Sequence, residues 1–270
     1  MTSPPPDFIT LPFTGDWDDV PAITQFFVLA SDAEPSFETD VRLAWSEEGL
    51  HFNARLTDPC VTAKIEEDGG PIWQDPAFEL FLDPGCMGVE YFEWEINANG
   101  AVWGLQMDKP YVAGGSPIRT LNDLVPEYEV WVEGILGEET EFWQVEGVVP
   151  WRNIGGKPGS LRANFCRVHH PAAGEIEWQS SAPIPVVDYH RPYAWGRVHL
   201  VSDVSEVPNG YPEWESDLAM AEACGMTRNS RSEGLVVPLD AEVTADGWVL
   251  KRGNLSLNQD GRWDVLNFSS

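Results

Sequence analysis

The chain has 270 residues, 43% of them hydrophobic and 11% aromatic, with a net charge of −28 at pH 7. That length suits one large β domain or two ordinary ones, and the apolar content argues against a disordered chain. A surface this acidic repels phosphate, which excludes nucleic acid and anionic membranes as partners and leaves cations and neutral ligands.

Residues 1–10 carry neither a basic stretch nor an apolar run, so no secretory leader is expected. That predicts a cytoplasmic protein, or an extracytoplasmic one from which a leader has been removed. Nowhere does the sequence approach the roughly 18 consecutive apolar residues of a membrane helix.

Short alternating runs bounded by Gly, Pro, Asn and Asp then follow one another. A hairpin is predicted from residues 41–45 and 50–56 around Ser46-Glu47-Glu48-Gly49. In the strand predicted over 77–83, Phe78, Leu80 and Leu82 oppose Ala77, Glu79, Phe81 and Asp83. Over 91–97, Phe92, Trp94 and Ile96 oppose Tyr91, Glu93, Glu95 and Asn97, so carboxylates and aromatics share the outward, wet face. Asn99-Gly100 predicts a tight turn into a strand over 101–107. More strands are expected over 129–136, 142–149, 162–168, 176–180 and 195–201.

Many short strands and little helix predict an all-β protein, an antiparallel β-sandwich of the jelly-roll kind, over residues 1–201. Residues 202–270 read as a small C-terminal extension with a short helix over 213–224 and strands over 235–243, 248–257 and 263–268. A segment of that size is expected to dock on the sandwich.

Four lysines against 44 carboxylates match the composition of proteins adapted to salty media. Cys60, Cys86, Cys166 and Cys224 are scattered and read as free thiols. The 13 tryptophans carry more meaning. Most suit a sandwich core, but Trp73 lies in a loop, Gly69-Gly70-Pro71-Ile72-Trp73-Gln74-Asp75-Pro76, with no periodic reason to be buried. Tyr189 lies in a similar Pro-rich stretch. Exposed, rigid rings suit sugars, whose C–H patches stack on aromatic faces while carboxylates and arginines take the hydroxyls.

Several motifs occur in order: Phe13-Thr14-Gly15-Asp16-Trp17, Thr39-Asp40-Val41-Arg42-Leu43-Ala44-Trp45, and Trp73-Gln74-Asp75-Pro76-Ala77-Phe78-Glu79. Tyr91-Phe92-Glu93-Trp94-Glu95-Ile96-Asn97, Val149-Pro150-Trp151, Asn164-Phe165-Cys166-Arg167 and Tyr189-His190-Arg191-Pro192-Tyr193-Ala194-Trp195-Gly196 follow. Together they resemble the carbohydrate-binding module family 9-like domains of the DOMON-like β-sandwich superfamily.

The resemblance implies a non-catalytic module that holds a sugar between two aromatic rings, with Trp73 at the first position and Tyr189 nearest the second. Glu79 matches an acidic residue that meets sugar hydroxyls. Glu93 and Glu95 stand where sugar-binding members carry Gln and Arg, which removes donors and adds negative charge. Arg167 or Arg191 would then supply donors. No cofactor is required. A structural calcium is implied, for which Asp16, Asp18 and Asp19 are the candidate ligands, and a carbohydrate-active enzyme is an expected partner in polysaccharide catabolism. Neutral or cationic ligands fit such a site, and sulfated or uronic-acid glycans are repelled.

Two alternatives remain open on the residues alone. Glu79, Glu93 and Glu95 could serve as the carboxylates of a glycoside-active enzyme. Met107 and His190 could hold a haem in an electron-transfer domain of the same superfamily.

Overall fold

The computed structural model describes residues 6–121, 123–171 and 174–206, together with the backbone of short strands between 227 and 266. The strands of the first part are β1 (Asp7–Pro12), β2 (Ala22–Ile23), β3 (Phe27–Val28), β4 (Thr39–Trp45), β5 (Gly49–Thr57), β6 (Ala77–Asp83) and β7 (Phe92–Asn97). They continue as β8 (Val102–Met107), β9 (Pro117–Thr120), β10 (Glu127–Gly134), β11 (Thr140–Pro150), β12 (Ser160–His169), β13 (Glu177–Ser180) and β14 (Gly196–Leu200). Between them, the described helical segments are 3₁₀ turns of three or four residues.

Hydrogen bonding makes one curled sheet that folds into two layers, and β1 joins them. Its first four residues pair with β14, while Leu11 and Pro12 pair with β4. One layer runs β10-β11-β5-β4, with β2 on β4; the other runs β14-β12-β6-β7-β8-β9. β13 takes a further stretch of β12 and carries β3. Among the described residues every pairing is antiparallel except those of β1, which is parallel to both neighbours. The expected sandwich is therefore present with a mixed strand at its seam, where the short β1 crosses from one layer to the other.

Alternation in the strands decides what lies between the layers. Leu43, Leu50, Phe52 and Leu56 from one layer meet Phe78, Leu80, Trp94, Ile96, Phe165 and Val198 from the other in a single apolar cluster. The predicted hairpins form: Ser46 N–H donates to the Gly49 carbonyl at 3.0 Å, and Asn97 closes the β7–β8 turn by accepting from the Asn99 and Ala101 N–H groups. Gly49 has a reason of its own, because a Cβ there would collide with the Val149 carbonyl of β11.

Unlike an ordinary sandwich, the outer face of the second layer is also covered. Ile72, Phe81, Tyr91, Leu105, Met107, Cys166, Tyr189, Tyr193 and Trp195 form a second apolar cluster there, built partly from the segment after β13. Cys60 and Cys166 are free thiols.

In the C-terminal part, Thr227–Arg228, Leu235–Leu239, Gly253–Leu257 and Trp263–Leu266 form an antiparallel sheet in that order, and Val243–Thr244 pairs with Gly247–Trp248. The helix expected over 213–224 lies outside the described residues, as does any docking of this part on the sandwich. Among the described residues no helix is long and apolar enough to cross a membrane.

Candidate functional site

The covered face holds a row of residues that the strand register sets side by side. Cys166 of β12 pairs with Glu79 of β6, Glu79 with Glu95 of β7, and Glu95 with Trp103 of β8. One row along, Phe81 pairs with Glu93 and Glu93 with Leu105. Register alone therefore brings three carboxyl groups to one patch, and one oxygen of each lies within 4.8 Å of the others. The face was expected to be wet, but Glu79, Glu93 and Glu95 are only 2%, 3% and 3% exposed. Covering loops, contributed from distant parts of the chain, account for the difference.

These carboxyls open on a cavity of about 450 Å³ lined also by Trp73, Trp103, Leu105, Tyr111, Trp178, Asp188, Tyr189 and His190. Trp73 sits on the 3₁₀ turn Ile72–Gln74, in which Ile72 is fully buried and so anchors the loop. Asp75, just beyond, accepts from the Lys64 and Ile65 N–H groups and from Asn97 Nδ2, which fixes the loop to the β7 end. The Trp73 ring is 42% exposed and meets Trp103 edge-on at 5.1 Å. Its backbone N–H donates to Glu95.

Burial sets the protonation of the triad. Desolvation pushes Glu79 well above the ordinary carboxylate range, and the Glu95 charge adds to it. Glu93 is raised in the same way by desolvation and then by Glu95 and Glu79. Glu95 is raised by desolvation to about 8, and hydrogen bonds from Glu93 and from the Trp73 N–H moderate the rise. A proton thus stays on Glu93 and is donated to Glu95. His190 is pushed down to about 4 by burial, so its 3.6 Å approach to Glu93 is a contact between neutral groups at pH 7, not an ion pair. Its other ring nitrogen bonds the Tyr91 hydroxyl at 2.8 Å.

Tyr189 does not offer a free ring. It is 6% exposed, its hydroxyl donates to the Arg167 carbonyl at 2.9 Å, and its ring backs Trp178 at 5.9 Å. It lines the cavity as a support, and Trp178, half-buried on β13, presents the more open face. The fold thus brings together Trp73, Glu79, Glu93, Glu95 and Tyr189, but neither expected arginine reaches the cavity. Arg167 points between the layers, since β12 alternates and Cys166 takes the cavity side. There its guanidinium donates to the Glu38 and Thr57 carbonyls and to Asp58 at 3.3 Å. Arg191 is spent on Asp188 at 2.6 Å, and so acts on the cavity only through that carboxylate.

Among solved structures, the chain resembles a protein from Bacteroides uniformis to which carbohydrate binding has been ascribed, at 17% identity and a TM-score of 0.51 over 74% of this chain and all of the other. It also resembles a family 9 carbohydrate-binding module from Caldicellulosiruptor kristjanssonii, seen with glucose and with cellotriose. Those two likenesses have 12% identity and a TM-score of 0.51, over 75% and 76% of this chain and all of the module. The fold is that of the family 9 carbohydrate-binding modules. No protein-family profile and no curated protein matches the sequence.

In this family 9-like sandwich the N-terminal acids do not assemble. Asp16, Asp18 and Asp19 are exposed, and Asp16 caps the turn Trp17–Asp19 by accepting from the Asp18 N–H at 2.9 Å. Among the described residues the carboxylates that do converge are those of the triad. Met107 is fully buried in the apolar cover, and both ring nitrogens of His190 face protein groups, an arrangement without two opposed ligands for a haem.

Trp103, Tyr111, Trp178 and Asp188 were not singled out by the sequence. For Trp103 a signal existed, because pairing β7 with β8 about the Asn99-Gly100 turn places it opposite Glu95. Tyr111 follows Pro110 on a 3₁₀ turn outside any alternating run, and nothing in its neighbourhood marks it.

Proposed function

We propose that the protein binds carbohydrate without acting on it, in the cavity beneath Trp73. One observation carries the reading: an exposed tryptophan, held by a buried neighbour, stands over three hydrogen-bonding carboxyl groups in a cavity of sugar-sized volume. The ring supplies a stacking face and the triad takes hydroxyls. Trp178 stands as the second ring, in place of Tyr189. The glucose and cellotriose complexes of the Caldicellulosiruptor module support the same class of ligand.

Hydrolysis would need a protonated acid and an ionised base or nucleophile flanking the bond to be cut. Here the three carboxyls share one wall and are all shifted towards the protonated form, which suits recognition better than turnover.

Calorimetric titration with hexoses and short glucans is expected to show binding that weakens at least about tenfold in Trp73→Ala, as loss of an anchoring aromatic does. The variant should keep the wild-type melting temperature, because Ile72 and Asp75 hold the loop. Unchanged affinity would overturn the site.

A further inference from the structure

The triad is a peculiar wall for a neutral sugar. Glu93 Oε2 and Glu95 Oε2 are buried and lack a hydrogen-bond partner, although both belong to residues lining the cavity. Among the described residues no lysine or arginine lines it, and its histidine is neutral at pH 7. Asp188 adds a fourth acid at the rim, already matched by Arg191 outside. A hydroxyl ligand could accept the triad's protons or donate to its oxygens, but it would bring no charge to offset any carboxylate left ionised.

An ammonium group matches the patch in number and sign. It has three N–H donors, it carries one positive charge, and it is attracted to aromatic faces such as Trp73, Trp103 and Trp178 around the same space. On the reading that the ligand is a sugar, we propose that this sugar carries a free amine: the cavity selects a protonated amino sugar, with its ammonium seated among Glu79, Glu93 and Glu95. A bare divalent cation is a poorer match, since hard cations take six or more oxygen ligands and much of this lining is aromatic or aliphatic.

Seating the ammonium displaces protons from the triad. The other titratable groups facing it do not interfere: burial raises Cys166, Tyr189 and Tyr111, which keep their protons, and lowers His190 to about 4, so its ring is already neutral at the pH of the test. Asp188 is held by Arg191.

The test is calorimetry on the full chain with a chelator present, at about pH 6 where an aliphatic amine is protonated. The ligands are glucosamine, glucose and N-acetylglucosamine, whose amide has no charge. Glucosamine is expected to bind roughly tenfold or more tighter than either neutral sugar, the scale of a charge-assisted hydrogen bond. Its binding heat should change with the ionisation enthalpy of the buffer, reporting proton release. In Glu95→Gln the roughly tenfold preference for glucosamine over glucose should vanish. Equal binding of the three sugars would overturn the amine and leave carbohydrate binding standing. Binding of none would overturn both. Calcium or manganese uptake without chelator that glucosamine fails to displace would make the triad a metal site and also overturn the proposal.

Discussion

Raising the pH from about 5 to about 9 is expected to lower the melting temperature of the unliganded protein, and Glu93→Gln to restore much of the loss. The unfolded chain releases the triad's protons near the ordinary value of 4.5, whereas the folded protein holds that of Glu95 until about 8 and those of Glu79 and Glu93 above the usual range. Across that window the folded state binds more protons than the unfolded state, so stability falls as pH rises. The group whose pKa is raised thus destabilises the fold at neutral and alkaline pH. The rise of Glu95 from 4.5 to about 8 by itself corresponds to a cost of about 4 kcal/mol at pH 8. An amide at position 93 still donates to Glu95 but cannot ionise. The general repulsion of a chain with charge −28 acts in the same direction, so an exposed control such as Glu129→Gln is needed. Thermal unfolding of the three proteins across pH checks the expectation, and equal slopes for Glu93→Gln and Glu129→Gln would contradict it.

Arg167→Met should cost about 3–5 kcal/mol, the usual result of leaving one member of a buried ion pair behind. Arg167 and Asp58 are both almost fully buried, and His169 Nδ1 also approaches Asp58 at 3.1 Å. Burial alone would push the Asp58 carboxyl up, but the His169 hydrogen bond, the Cys60 N–H and Arg167 hold it below the ordinary value. Burial lowers Arg167 to about 10, still charged at pH 7. The same guanidinium also satisfies the Glu38 and Thr57 carbonyls, so it ties β12 of one layer to the ends of β4 and β5 of the other. Denaturant unfolding measures the loss. Sugar affinity of the folded variant should remain, since the side chain lies on the far face of β12. A stable variant that no longer binds sugar would return Arg167 to the site.

The two sides of this arginine show how much was legible in the sequence. Period-2 alternation along β6 and β7 correctly separated the core residues Phe78, Leu80, Trp94 and Ile96 from the carboxylates. Applied to β12, the same rule puts Phe165 and Arg167 on one face and Cys166 on the other, so the inward course of Arg167 was present in the pattern. The covering of the outer face was not. It depends on Tyr189, Tyr193 and Trp195 folding back from the segment after β13, a long-range contact that no local period encodes. That cover turns three wet carboxylates into a buried triad and makes Tyr189 a support for Trp178. Nor did the six residues of β1 announce that they pair in parallel with two layers.

The most direct measurement is a crystal structure grown with saturating hexose, as glucose and as glucosamine. Carbohydrate binding in this cavity predicts a pyranose ring stacked on Trp73, with its polar groups within hydrogen-bond distance of Glu79, Glu93 or Glu95. A sugar bound elsewhere on the sandwich, with the space between Trp73 and Trp178 left to water, would contradict it.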